Sequence, residues 1–407
     1  MNWPLLICLL LRIAPIYSHN YDFKLIYQWR FLEFKFANEE ERTESIKNGS
    51  FKINQVRPID AQYTYNEKSG KEKIFISIPR LLPTGTPASL TVITNETRNG
   101  SPVIDPYPSW SWHLNLEMCS YYRIVSAFRL WADECGRLWI MDTGKQGDNF
   151  LCPPQLLAFD LETDSLLYKY ELTSDQYQNT SVYVIPMAEV ESMEDNCKKT
   201  WLYMADPLGG PNLLVYNLER NVSWTIQDES FKADPKYFNL TIAGDTVQVF
   251  DGILSLILSP KSDPPQERKL FYHSFASIKE SFVYVNYLKN PDNFKKPYGS
   301  PQLFYTYPTT RDQQISVDAI DSKGMIYFAL LTDILIVKWD PNTPYKRENF
   351  HVIADNNETM QDPTGLKIPP FKVNGKETIW VFCTEFHRSK RPLAEKEVNF
   401  RLFRADF

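Results

Sequence analysis

The chain has 407 residues, 44 Lys and Arg against 50 Asp and Glu, a formal net charge of −6 and a pI of ≈ 5.6. An acidic balance without basic clusters argues against a nucleic-acid or anionic-membrane partner, both of which need grouped Lys and Arg. No uninterrupted apolar stretch reaches the roughly 20 residues that a membrane-spanning helix requires.

In chain order, the first signal is the apolar run Pro4 to Ile13. It suits the core of a secretory signal peptide over residues 1–18, with the mature chain starting near His19. Asn38 to Ile46 is the best candidate for a helix, charged and surface-like. Almost everything else reads as strand. Short runs rich in Val, Ile, Leu, Phe, Tyr and Trp alternate with Gly, Pro, Asn and Asp.

The strands fall into a repeated unit of polar turn, strand, loop and strand. Phe75–Ile78 with Leu90–Ile93 forms the first. Asp133–Asp142 with Leu156–Leu161, and Asn196–Asp206 with Leu213–Leu218, form the second and third. Gly252–Leu258 with the pair around Phe271 and Val283 is the fourth, Asp321–Phe328 with Ile334–Asp340 the fifth, and the segment around Trp380 the sixth. Units of about 40 to 70 residues suit propeller blades with insertions. The expected fold is therefore all-β, a six-bladed β-propeller forming a single domain over residues 19–407. The terminal strands Ile26 to Phe36 and Asn399 to Phe403 are expected to close the ring together. A β-sandwich of this length would leave the repeat unexplained.

Seven N-x-S/T sequons, at Asn48, Asn95, Asn99, Asn179, Asn221, Asn239 and Asn357, predict glycosylated surface loops in a secreted protein. Beyond Cys8 of the signal peptide, the cysteines are Cys119, Cys135, Cys152, Cys197 and Cys383. None forms a CxxC pair, so the reading is two disulfides and one free thiol, with no metal site and no cofactor. Cys383 is the expected free thiol, because it lies in the apolar run Trp380-Val-Phe-Cys383.

Several stretches then resemble the Yellow/major royal jelly protein family. They include Pro106-Tyr-Pro-Ser-Trp110, Asp133-Glu-Cys-Gly-Arg-Leu-Trp139, Cys152-Pro-Pro-Gln-Leu156, Asp234-Pro-Lys-Tyr237 and Leu270-Phe-Tyr272 with Val283-Tyr-Val-Asn286. They run in order through nearly the whole mature chain. The resemblance implies a secreted six-bladed propeller with no required metal. It also implies three functional readings: binding of a small aromatic or biogenic-amine ligand, linked to pigmentation or melanin chemistry; conversion of dopachrome by a tautomerase; or a non-catalytic storage, structural or developmental role.

No hydrolase elbow, H-E-x-x-H, P-loop or dinucleotide fingerprint is present, so no catalytic residue is assigned. His273 and His387 read as turn histidines. A proton-transfer site needs only one or two positioned groups and leaves no motif.

With blade strands lettered A to D outward, the Asp133 turn is an A–B turn on one face. The B–C loops lie on the other, where the ligand is expected at the mouth of the central channel. Those loops supply the candidate ligand-binding set Arg80, Asp142, Thr143, Asp206, Ser274, Phe275, Thr332, Asp333, Glu385 and Phe386. Carboxylates would hold an ammonium and rings would stack on an aromatic. A mouth plugged by Arg80 and Lys145 would instead favour the role without a ligand. The same topology pairs Cys135 with Cys197 and Cys119 with Cys152.

Overall fold

Strands such as Ile253–Leu258 and Arg137–Asp142 are short, largely apolar runs, the pattern of a strand covered on both faces. All six residues of Ile253–Leu258 are buried, as are all six of Arg137–Asp142. The computed structural model describes residues 21–66, 69–295 and 300–407, and the expected signal peptide lies outside them. It shows six antiparallel sheets arranged as a six-bladed β-propeller.

Blade 1 runs outward as Asp60–Asn66, Lys71–Ser77, Leu90–Arg98 and Ser101–Pro106. Blade 2 is Ala127–Ala132, Arg137–Asp142, Gln155–Asp160 and Leu166–Glu171. Blade 3 is Pro186–Val190, Thr200–Asp206, Asn212–Asn217 and Val222–Ile226. Blade 4 is Ile253–Leu258, Lys269–Ser274, Ser281–Tyr284 and Phe304–Thr306. Blade 5 is Ile315–Ile320, Ile326–Leu330, Leu335–Trp339 and His351–Asp355. Blade 6 is Pro363–Lys367, Thr378–Cys383 and Phe400–Asp406, and its outer strand is the N-terminal Lys24–Trp29.

The ring closes as expected. Lys24 pairs with Arg404 and Trp29 with Phe400. One detail differs from the sequence reading: Ile26 to Phe36 is not one strand. After Trp29 the chain leaves blade 6, and Glu33–Phe34 joins the edge of blade 1 in parallel with Val103 and Ile104. The N-terminal segment thus staples blade 6 to blade 1. The expected helix is present as Glu39–Lys47, capped by Asn38, whose side chain accepts from the amide of Glu41 at 2.9 Å.

The repeated motif has a structural cause. Asp133 Oδ1 accepts from the amides of Cys135 and Arg137, while Oδ2 takes Arg137 Nε and Trp139 Nε1. In blade 5, Asp321 Oδ1 accepts from Lys323 and Met325, and Oδ2 from the Tyr327 hydroxyl. Gly136 and Gly324 sit at φ of 71° and 83°, where a Cβ is disfavoured. Each motif is therefore an A–B turn clamped from the inside by its own aspartate.

The disulfides are Cys119–Cys152 and Cys135–Cys197, and Cys383 is free and buried. The asparagines of all seven sequons are exposed.

His113 is a neutral part of the packing. Its Nδ1 accepts from the Ser89 amide (3.4 Å) and its Nε2 bonds the Tyr107 carbonyl (2.9 Å). Burial, then the charge of Arg80, pulls its pKa down to about 3. Its folded pKa lies below the unfolded value of about 6.5, so the unfolded chain takes up this proton first. Stability should therefore fall by about 1.4 kcal/mol per pH unit from this residue alone as pH drops below 6.5. Urea titrations of wild type and His113→Gln between pH 7 and about pH 4 should diverge by that slope; parallel curves would contradict it.

Candidate functional site

The two ends of the central channel differ. At the B–C end, a hairpin inserted between blades 3 and 4, Asn239–Ile242 and Asp245–Gln248, reaches the B–C segment of blade 6. Asp245 pairs there with Arg388 (2.6 Å) and Arg391 (3.1 Å). The Arg388 bond holds its carboxyl below the usual range. Gln314 donates to the carbonyls of Tyr237 and Asn239, and Leu240 and Ile242 pack on Leu331. This end is covered.

The candidate residues of the B–C loops are engaged in the scaffold. Arg80 is buried and donates to the carbonyls of Thr86, Pro87, Ile124 and Val125, and burial lowers its pKa to about 10. Asp142 accepts from the amides of Val125, Ser126 and Gly144 and from Gln155 Nε2. Thr143 bonds the Ser126 carbonyl, and Lys145 donates to the Asn179 carbonyl. Asp206 Oδ1 accepts from Val182, Leu208 and Gly209, while its Oδ2 is buried without a partner. Ser274 reaches the Ser230 carbonyl (3.3 Å), and Phe275 packs against the core. Thr332 and Asp333 are exposed, with Asp333 paired to Arg347. Glu385 pairs with Arg388, next to the half-buried Phe386. None of these ten residues lines the cup at the other end of the channel.

The cavity lies at the opposite end. A cup of ≈ 500 Å³ opens between the A–B turns and is lined by all six inner strands. Its wall is mostly apolar, from residues such as Met187, Leu256, Val317 and Leu366, with Trp131 and Phe371 as aromatic surface. At the rim, Glu134 of blade 2 pairs with Lys261 of blade 4. At the deep end, Asp60 Oδ2 accepts from the Leu130 amide (2.9 Å) and pairs with Lys367 Nζ (2.8 Å). Lys367 also donates to the Leu130 carbonyl, and Arg129 to the Thr364 carbonyl. Burial pulls the Lys367 pKa down, with Asp60 opposing that shift.

Register breaks in the inner strands shape this wall. They fall between Ala127 and Leu130, Ile253 and Ser255, Ile315 and Asp318, and Pro363 and Gly365. Such bulges re-aim side chains out of the pleat. Five buried polar atoms of cup-lining residues have no hydrogen-bond partner: Asp60 Oδ1, Arg129 Nε, Trp131 Nε1 and both carboxylate oxygens of Asp318. Gly365 leaves room for the first, since a Cβ there would sit 3.0 Å from Asp60 Oδ1.

Sequence reasoning passed over these residues because it sought polar groups in loops. The available signal was a lone charge inside an apolar strand, as in Ile315-Ser-Val-Asp-Ala-Ile320 or at Arg129 within Ala127–Ala132. A charge at such a position is costly unless it is paired.

The model of the major royal jelly protein family matches residues 125–407. Major royal jelly protein 9 of Apis mellifera is 31% identical over 397 residues, covering 94% of this chain and 87% of that protein. Major royal jelly protein 8 of the same species is 31% identical over 363 residues, covering 88% and 82%. Dopaminechrome tautomerase of Drosophila melanogaster is 27% identical over 397 residues, covering 94% and 81%. With the six-bladed propeller and its A–B turn motif, these matches show that the chain belongs to the Yellow/major royal jelly protein family.

Proposed function

We propose that this chain is a secreted, N-glycosylated propeller that binds a small aromatic ligand carrying an amine in the cup between its A–B turns. The observation that carries this reading is the unpartnered polar set of the cup-lining residues, donors from Arg129 and Trp131 and acceptors from Asp60 and Asp318, in a mostly apolar wall. A buried polar atom without a partner costs about 1–3 kcal/mol, which a complementary ligand recovers. An ammonium suits Asp60 Oδ1, ring oxygens suit Arg129 and Trp131, and the apolar wall suits an aromatic ring. The volume falls in the range of about 300–1,000 Å³ typical of small-ligand sites. Two disulfides, exposed sequon asparagines and the absence, among the described residues, of a helix long and apolar enough to cross a membrane support the secreted setting.

Calorimetry of the secreted protein with dopamine and serotonin should show saturable binding. Trp131→Ala and Gly365→Val should each weaken it by at least about 10-fold, roughly 1.4 kcal/mol. Asp206→Asn on the covered face should leave it unchanged. Binding that responds to Asp206→Asn but not to the cup variants would move the site to the B–C end.

A second reading is conversion of an aminochrome, favoured by the resemblance to dopaminechrome tautomerase and by the Asp60–Lys367 pair. A tautomerisation needs one group to take a proton and another to return it. Asp60 Oδ1 is placed for the first role and the buried Lys367 ammonium for the second. Turnover above the spontaneous rate, abolished in Lys367→Met with ligand binding retained, is the expected result for this reading.

A further inference from the structure

Behind one wall of the cup, three side chains meet at the junction of blades 4 and 5. His273 comes from the strand Lys269–Ser274, Glu280 from the turn that follows it, and Asp318 from the inner strand Ile315–Ile320. Their side chains are 0%, 2% and 0% exposed. One donor atom from each lies within 4.8 Å of the other two. Two ligand bonds of about 2.0–2.6 Å across a metal ion span such a distance.

The hydrogen-bonding inventory of this cluster does not close. His273 Nδ1 lies 2.9 Å from Asp318 Oδ2 and 3.6 Å from Glu280 Oε2. Yet neither imidazole nitrogen, neither Asp318 oxygen, nor Glu280 Oε1 has a hydrogen-bond partner. Arg311 is the cation at hand, 3.6 Å from Glu280 Oε2. Its guanidinium is already bonded to the carbonyls of Ser277, Lys279 and Gln313 and to the Tyr345 hydroxyl. The imidazole and the two carboxyl groups thus hold lone pairs that no protein donor fills, at buried positions where an unfilled acceptor is costly. Such a set of converging, unfilled acceptors suits a metal ion.

The donor chemistry narrows which one. An imidazole nitrogen with two carboxylate oxygens is a borderline set that divalent transition metals favour, whereas Ca²⁺ and Mg²⁺ take oxygen ligands alone. Three protein ligands leave a fourth position open. Asp318 also lines the cup, so the cup supplies both a route of entry and a source for that fourth ligand. The ligands stand on neighbouring blades, which explains why no sequence motif announces them: positions 273, 280 and 318 share no helical or turn spacing.

We propose that His273, Glu280 and Asp318 bind one divalent transition-metal ion, with Zn²⁺ the preferred occupant, at the blade 4–blade 5 junction. The site does not depend on which ligand fills the cup. Its ion would tie two blades together and present an open coordination position toward the cavity.

The test uses the full secreted chain, stripped with a chelator, dialysed and titrated with Zn²⁺ and with Co²⁺ as a spectroscopic substitute. The expected result is one equivalent bound at micromolar or tighter affinity. Asp318→Asn and Glu280→Gln, which keep shape, should each weaken it on the order of 100-fold. His351→Gln, at an exposed and remote histidine, should leave it unchanged. Near-UV circular dichroism checks that the variants are folded. Should they not fold, X-ray absorption of the Zn²⁺-loaded wild type decides: one imidazole with oxygen ligands supports the site, and several imidazoles or sulfur ligands overturn it. Absence of stoichiometric binding by the wild type overturns it. So does binding unaffected in both folded isosteric variants.

Discussion

Asp133→Ala is expected to lower the stability of the propeller by about 3–5 kcal/mol. The side chain is fully buried and paired with Arg137, itself 3% exposed, at 2.7 Å. Removing the carboxylate strands that guanidinium, the Trp139 indole N–H and the amides of Cys135 and Arg137. A buried charge that loses its partner costs far more than an exposed pair, whose loss costs under about 1 kcal/mol. The Arg137 guanidinium also donates to the Cys197 carbonyl and to Thr200, so the damage extends into blade 3. Denaturant unfolding of the purified protein measures this directly. A loss below about 1 kcal/mol would show that the motif is not the clamp described here.

The second large effect belongs to the same junction. Cys135–Cys197 joins the A–B turns of blades 2 and 3 and spans 62 residues in sequence. By loop-closure entropy a bridge of that span contributes about 4 kcal/mol. The double variant Cys135→Ser, Cys197→Ser should lose about that much. Cys119–Cys152, with a separation of 33, should cost somewhat less when removed. If the shorter bridge proved the more costly, local strain or contacts rather than loop closure would govern both.

The blade repeat was legible in the sequence because the A–B turns of blades 2 and 5 solve the same problem with the same kinds of residue. Asp133, Gly136 and Trp139 recur as Asp321, Gly324 and Tyr327, and each has a bond or a backbone angle that explains it. Ring closure was legible because the terminal strands have no other partner in a closed propeller. The free thiol was legible from its apolar run, and Cys383 is indeed buried.

What was not legible follows from burial of polar residues. The inner strand of blade 1, Asp60–Asn66, reads as polar and was missed, although Asp60, Gln62 and Thr64 are all buried. The outer strand of blade 4, Phe304–Thr306, is only three residues long and follows a long insertion. The hairpin at residues 239–248 falls between the third and fourth repeat units and lies at the B–C end of the channel. That covering places the open cup on the other face, and long-range ion pairs such as Asp245–Arg388 carry no local pattern.

The site account rests on the cup between the A–B turns as the place where a ligand sits. A crystal structure of the protein grown with serotonin tests it most directly. The account predicts ligand density within the cup, its amine at Asp60 Oδ1 and its ring against Trp131. Density at the B–C mouth beside Asp206, or no density with the cup filled by its own side chains, would contradict it.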